Sequence, residues 1–335
     1  MKQISPFWMA AARLSGRLDL SGCISAGINP ETAPRSVLID HGVSPDLVPK
    51  LRCQVWPTTS IAALRLTDPD YPECLRPLPY APPVLFVQGD PKLLLEPTVS
   101  IVGARRCSEQ ARRFAFDVSA SVAEAGGVVV SGLAWGVDDA AHRGAAGRTI
   151  AVVAQGLGVP FSGSLARRVA ELRRQGGIIV SEFPPDRAPA RHLFLQRNRV
   201  ISGLGRATVV VEAGEQSGSL VTARCALEQG RDLFVVPDHP SRRGAAGGLR
   251  LLASGAAPLL SARTIIDSLG LKTVARDGMS DLMKMISSHG SAVALAAHTG
   301  ESIRIWNRRL ATLELSGRVE RLPGGRFVPC RSASR

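Results

Sequence analysis

Six short apolar runs set the rhythm of the chain: residues 99–102, 128–130, 149–153, 178–180, 208–211 and 233–236. Each is rich in β-branched residues and lacks the in–out alternation of a half-solvated strand, the pattern of strands buried on both faces. The amphipathic stretches between them leave room for crossover helices. Residues 98–262 therefore predict an α/β fold, a doubly wound parallel sheet. Ligands of such sheets bind outside the carboxyl ends of the strands, so the residues following each run are the candidates for chemistry.

The pattern differs on either side. Residues 1–70 read as short helical pieces broken by Gly and Pro, a small helical module of helix-hairpin type. Residues 71–97 are dense in Pro, which fixes the chain and forbids helix, and lead as a connector into the apolar entry strand 84–87. The alternation stops near residue 262. Residues 263–277 read as a linker, and 278–330 as helices followed by two β-like runs around Pro323-Gly324-Gly325, a winged-helix shape.

Charge narrows the partner. The 335 residues carry 41 Lys+Arg against 28 Asp+Glu, a net +13. Residues 1–97 are balanced, 9 against 9, while 98–262 carry 20 against 13 and 263–335 carry 12 against 6. All 20 cations of the middle segment are Arg. GC-rich coding accounts for the preference for Arg over Lys. It does not account for the asymmetry along the chain, which points to an acidic partner, nucleic acid first. With 45% hydrophobic and 21% charged residues the chain has ample core. No stretch nears the ~18 apolar residues of a membrane span, and residues 1–20 lack the pattern of a signal peptide, so the expected setting is cytoplasmic, away from membranes. The six cysteines are scattered without a CxxC pair, so free thiols and no metal site or cofactor are expected.

The strand ends carry small and basic residues. After the first run comes Gly103-Ala104-Arg105-Arg106: Gly permits close backbone approach, the next helix would offer N–H groups to an anion, and Arg105 a charge-assisted fork. The GxGxxG fingerprint is absent. After the second come Ser131-Gly132-Leu133-Ala134-Trp135-Gly136 and Asp138, an expected N-cap, then His142, which the balance of readings makes a structural hydrogen-bonding group. Trp135 suits base stacking or loop packing. After the fourth, a loop carries Arg187, Arg191, His192, Arg197 and Arg199 among Phe183 and Phe194, a mixture suited to phosphate and stacked bases of a single strand. After the fifth, Ser217-Gly218-Ser219 opens a helix as a plausible phosphate nest.

Taken in order, these motifs resemble the DNA-processing protein A (DprA/Smf) family over nearly the whole chain. The resemblance rests on Asp68-Pro69-Asp70-Tyr71-Pro72, Gly103-Ala104-Arg105, Ser131-Gly132-Leu133-Ala134, Ala141-His142-Arg143-Gly144, Ser181-Glu182-Phe183-Pro184, Arg197-Asn198-Arg199, Ser217-Gly218-Ser219 and Glu228-Gln229-Gly230-Arg231. It implies an extended Rossmann-like core that binds single-stranded DNA without nucleotide hydrolysis. It also implies a homodimer, and loading of the RecA recombinase onto incoming strands in natural transformation. Arg105 would meet phosphate, with Arg106, Ser131 and Gly132 in the same pocket and residues 187–199 adding contacts. Arg197, Asn198 and Arg199 remain open between DNA contact and internal hydrogen bonds. Four positions depart from the family pattern: Ala104 for Ser, Trp135 for Arg, Gln155 for Gly or Cys, and Asp238 for Gly.

Two other functions compete. One is a nucleotide phosphoribohydrolase of the related lysine-decarboxylase-like group, whose Pro-Gly-Gly-x-Gly-Thr loop is missing from residues 212–219. The other is a regulator that binds duplex DNA through the winged helix.

Overall fold

The computed structural model describes residues 5–48, 61–242, 244–271 and 278–330. The chain divides into two compact units, residues 1–272 and 273–335.

The first unit is built on a nine-stranded sheet in the order β1-β2-β6-β5-β4-β3-β7-β8-β9. Strands β3 (Thr98–Val102), β4 (Val128–Ser131), β5 (Thr149–Val152), β6 (Ile178–Ser181), β7 (Ala207–Val210) and β8 (Asp232–Val235) match the six apolar runs to within a residue. They pair in parallel, as does the short β9 (Ala257–Pro258). At the other edge β1 (Ala62–Arg65) and β2 (Val84–Gln88) form an antiparallel hairpin, and β2 pairs antiparallel with β6. The order runs outward from β3 in both directions, the doubly wound arrangement of Rossmann-like folds.

Strand alternation divides the core between two clusters. Val99 and Ile101 of β3 and Val129 of β4 join α4 (Glu109–Glu124), α5 (Val137–Gly144) and α10 (Ala262–Ser268). Val102, Val128 and Val130 join α7 (Arg191–Leu204), α8 (Ser219–Glu228) and the N-terminal helix α1 (Pro6–Arg13). The helical residues of the N-terminal segment, with α2 (Ser21–Ser25) and α3 (Arg35–Asp40), thus share one core with the sheet, through Trp8, Leu18, Leu20 and Leu38.

Three local expectations change. Residues 62–65, grouped with the helical module, are a sheet strand, because Leu64 turns into the core beside Leu85. Residues 191–199, read as a loop, lie in α7, because Leu193, Val200, Ile201 and Leu204 give that segment a helical apolar face. Residues 263–268 of the expected linker belong to α10, whose Ile265 and Ile266 are buried; residues 272–277 lie outside the described residues.

The second unit contains α11 (Gly278–His289), α12 (Ala292–Thr299), α13 (Ile303–Leu315) and the hairpin β10 (Val319–Leu322) and β11 (Arg326–Pro329). Its own core gathers Ile286, Leu295, Trp306, Leu310 and Phe327. Helices closed by a β-hairpin make this a winged-helix domain.

Candidate functional site

Between β3 and β7, where the winding of the sheet reverses, the carboxyl ends open onto a cleft of about 600 Å³. One lip is Gly103, Ala104, Arg105 and Arg106 after β3. The opposite lip is Gly214 and Gln216 to Ser219 after β7, and α7 supplies Phe194, Leu195, Arg197 and Asn198. Arg105 and Arg106 are exposed and make no hydrogen bond or ion pair among the described residues. Two strand ends far apart in sequence thus place two uncommitted guanidinium groups opposite a pair of serines.

The N-terminus of α4 does not serve as the free anion site expected from the sequence. Ser108 caps the helix, its Oγ accepting from the Ala111 N–H at 3.1 Å. The buried Glu212 carboxylate in turn accepts from Ser108 N–H at 3.1 Å and Ser108 Oγ at 2.7 Å. The Glu212 carbonyl accepts from Ala104 N–H at 2.7 Å, so the residue after β7 ties down the loop after β3.

The wall of the cleft is internally satisfied. Arg197 is buried, donating from Nη1 to the carbonyls of Gly132 (3.0 Å) and Val152 and from Nε to Asn198 Oδ1 at 3.3 Å. Burial lowers its pKa to about 10, which leaves it charged at neutral pH. Gly132 is required beside it: a Cβ there would lie 2.9 Å from Asp138 Oδ2 and 3.0 Å from Arg197 Nη2. Asp138 is not the N-cap of α5; Gly136 is, with φ +81°. Asp138 accepts from Ala134 N–H at 3.3 Å, and burial raises its pKa. Ser131 is buried and donates to the Ile101 carbonyl at 2.6 Å. Asn198 donates to the Gly218 carbonyl at 3.3 Å, joining α7 to the serine lip, where Ser217 Oγ and Ser219 Oγ are 2.7 Å apart.

The remaining candidates stand outside the cleft. Arg187, Arg191 and His192 are exposed just before and at the start of α7. Arg199 turns the other way, donating to the Tyr80 carbonyl at 2.7 Å and to the buried Glu182, which also accepts from Ser15 Oγ at 2.5 Å. His142 is structural: Nδ1 is 2.7 Å from Thr149 Oγ1, and burial lowers its pKa to about 3.

Sequence reasoning passed over Arg168, Glu212, Leu195 and Gln216. Arg168, on α6 (Gly163–Arg174), places its guanidinium 4.1 Å from the Trp135 ring centre. Nothing local announces that pair. Glu212 had a visible signal, an acid directly after an apolar strand, at the position that faces the preceding loop in this winding.

Residues 62–270 match the family model described as DNA recombination-mediator protein A. The chain belongs to that family. Residues 294–325 match the model of the DprA winged-helix domain. Protein Smf of Escherichia coli (strain K12) is 35% identical over 284 residues, covering 78% of this chain and 76% of that protein. The solved structure of DNA processing protein A from Streptococcus pneumoniae superposes with a TM-score of 0.67 at 29% identity, covering 79% of this chain and 98% of that one. That of Helicobacter pylori DNA processing protein A, reported for its single-stranded DNA binding mode, superposes with a TM-score of 0.57 at 30% identity, covering 62% and 95%. The family's DNA-processing, recombination-mediating class is therefore the class of this chain, and its Rossmann-like core and winged helix occur here in the same order.

Proposed function

We propose that this protein binds single-stranded DNA along the β3–β7 cleft, protects it and loads RecA onto it, acting as a cytoplasmic homodimer. The observation that carries the reading is the free pair Arg105 and Arg106 on the lip of a cleft whose other charged groups are satisfied from within. A guanidinium without an internal partner is the group available to neutralise phosphate. Ser217 and Ser219 face it with hydroxyls, and Phe194 and Leu195, exposed on α7, offer apolar surface to bases. Arg187, Arg191 and His192 extend the basic surface beyond one end of α7. The Helicobacter pylori relative's strand binding supports the choice of ligand, and the family's description as a recombination mediator supports a recombination role, of which RecA loading by a homodimer is the proposed form.

A non-catalytic role fits the same geometry, since both carboxylates of the cleft, Asp138 and Glu212, are buried in hydrogen bonds. The test is fluorescence anisotropy with oligo-dT across a salt series. Affinity should fall with a log–log slope of about −0.7 per neutralised phosphate. Arg105→Ala should weaken binding and make that slope shallower by about 0.7. An Arg105→Ala protein with unchanged affinity and slope would show that the strand binds elsewhere.

A further inference from the structure

Helix α7 has a second face. Phe194, Leu195, Arg197 and Asn198 line the cleft, while Gln196 and Arg199, three residues apart and so on one side of the helix, turn towards the N-terminal segment. Both meet Glu182, the residue after β6, whose side chain is fully buried. One carboxylate oxygen, Oε2, accepts from Arg199, from Gln196 Nε2 at 3.3 Å and from Ser15 Oγ at 2.5 Å. We propose that Glu182 is a positioning residue of the strand site: it fixes α7 from behind, and through Ser15 it makes the N-terminal segment a working part of that site. The proposal rests on the reading of the cleft as a single-stranded DNA site and adds what holds its wall in place.

Three segments distant in sequence converge on that oxygen. Ser15 follows α1, and its carbonyl accepts from Gln196 Nε2 at 2.7 Å while Arg199 Nη2 donates to its Oγ at 3.4 Å. Gly16, at φ +78°, lets the backbone come hard against α7, since a Cβ there would sit 2.6 Å from Gln196 Nε2. Arg199 is held from a further side by the Tyr80 carbonyl at 2.7 Å.

A buried ion pair adds little net stability over apolar packing of the same volume, but it demands one arrangement of its partners. Apolar contacts here would let α7 turn or slide slightly; one oxygen shared by three directed donors does not. The surface pair Arg13–Asp186, 2.9 Å apart with both side chains exposed, is a weaker tie between the same segments. The consequence is reciprocal. Where docking of residues 6–25 holds α7 in its strand-binding position, a bound strand holds those residues docked by the same factor. Among the described residues none of α1 lines the cleft, so protection of α1 by DNA travels through α7 and not by contact.

The experiment uses the full chain. It measures oligo-dT affinity by fluorescence anisotropy across a salt series, and amide hydrogen exchange of residues 6–25 with and without saturating oligo-dT. In the parent, oligo-dT should slow exchange there about fivefold. Ser15→Ala removes one donor and leaves the Glu182–Arg199 pair in place. It should weaken oligo-dT binding about fivefold at an unchanged salt slope, because no phosphate contact is lost, and should abolish the slowing. Ser15→Thr, which returns the hydroxyl, should restore both. Unaltered exchange in the parent on binding oligo-dT overturns the proposal without recourse to any variant. Parental affinity in Ser15→Ala overturns it as well, as does a loss that Ser15→Thr leaves unrepaired; all three leave the cleft standing. A shallower salt slope in Ser15→Ala also overturns it, since the network would then be holding phosphate itself. Failure of the parent to bind oligo-dT overturns the reading of the cleft, and this proposal with it.

Discussion

Acidification should weaken the core at one identifiable residue. Thr149 Oγ1 donates to the Val129 carbonyl at 2.8 Å, so it must accept from His142 Nδ1, which fixes the Nδ1–H tautomer. Nε2 is buried without a partner among the described residues, and Arg168 and Arg197 add repulsion to the desolvation that a second proton would meet. The folded-state pKa is lowered to about 3 from 6.5. The sign follows: above 6.5 both states are neutral here, and as pH falls the unfolded chain takes up a proton that the folded chain refuses. Stability drains by about 1.36 kcal/mol per unit across that window, or about 2.5 kcal/mol between pH 7.0 and 4.5. His142→Asn keeps an amide donor for Thr149 but cannot titrate. Urea unfolding followed by circular dichroism, at both pH values, should show the parent losing about 2.5 kcal/mol more than the variant. Asp138 acts in the opposite sense, since burial raises its pKa, but it is present in both proteins and cancels in the difference. Equal losses in the two proteins would refute the assignment of a buried neutral imidazole.

Two further substitutions test how the site is held. Arg199→Met should cost about 3–5 kcal/mol in urea unfolding, because it strands the fully buried Glu182 carboxylate, and adding Glu182→Gln should recover much of the loss. Gly136→Ala should lower the thermal midpoint by the equivalent of at least about 1–3 kcal/mol, as its Cβ would sit 2.3 Å from the Ala104 carbonyl oxygen at φ +81°.

The parallel core was legible because β3 to β7 are runs rich in β-branched residues and buried on both faces, a signal that survives without any partner information. The edge strand β1 was not: Ala62–Arg65 is short, only Leu64 turns fully inward, and its pairing with β2 spans a long loop. In α7 the charged residues hid the helical face, and they also hid a division of labour. Arg191, Arg197 and Arg199 look alike in sequence, yet one is solvated, one is buried on the carbonyls of Gly132 and Val152, and one is spent on Glu182. The partners that sort them lie tens of residues away. The position of Gly103 and Arg105 at the cleft was readable because the winding of such a sheet dictates where its carboxyl ends open. The Trp135–Arg168 pair was not, since α6 reaches the β4 loop only after the sheet is assembled.

Glu212 gives the cleft a competitor that never diffuses away. Its carboxylate is tethered beside the α4 entrance, where intramolecular attachment confers an effective concentration on the order of millimolar or more. A free nucleotide seeking that helix end must displace an anion already hydrogen-bonded to Ser108. A polymer need not, because it can spread its phosphates over Arg105, Arg106 and the basic start of α7. With the cleft acting as the proposed strand site, affinity should therefore grow with strand length and be lowest for a single nucleotide.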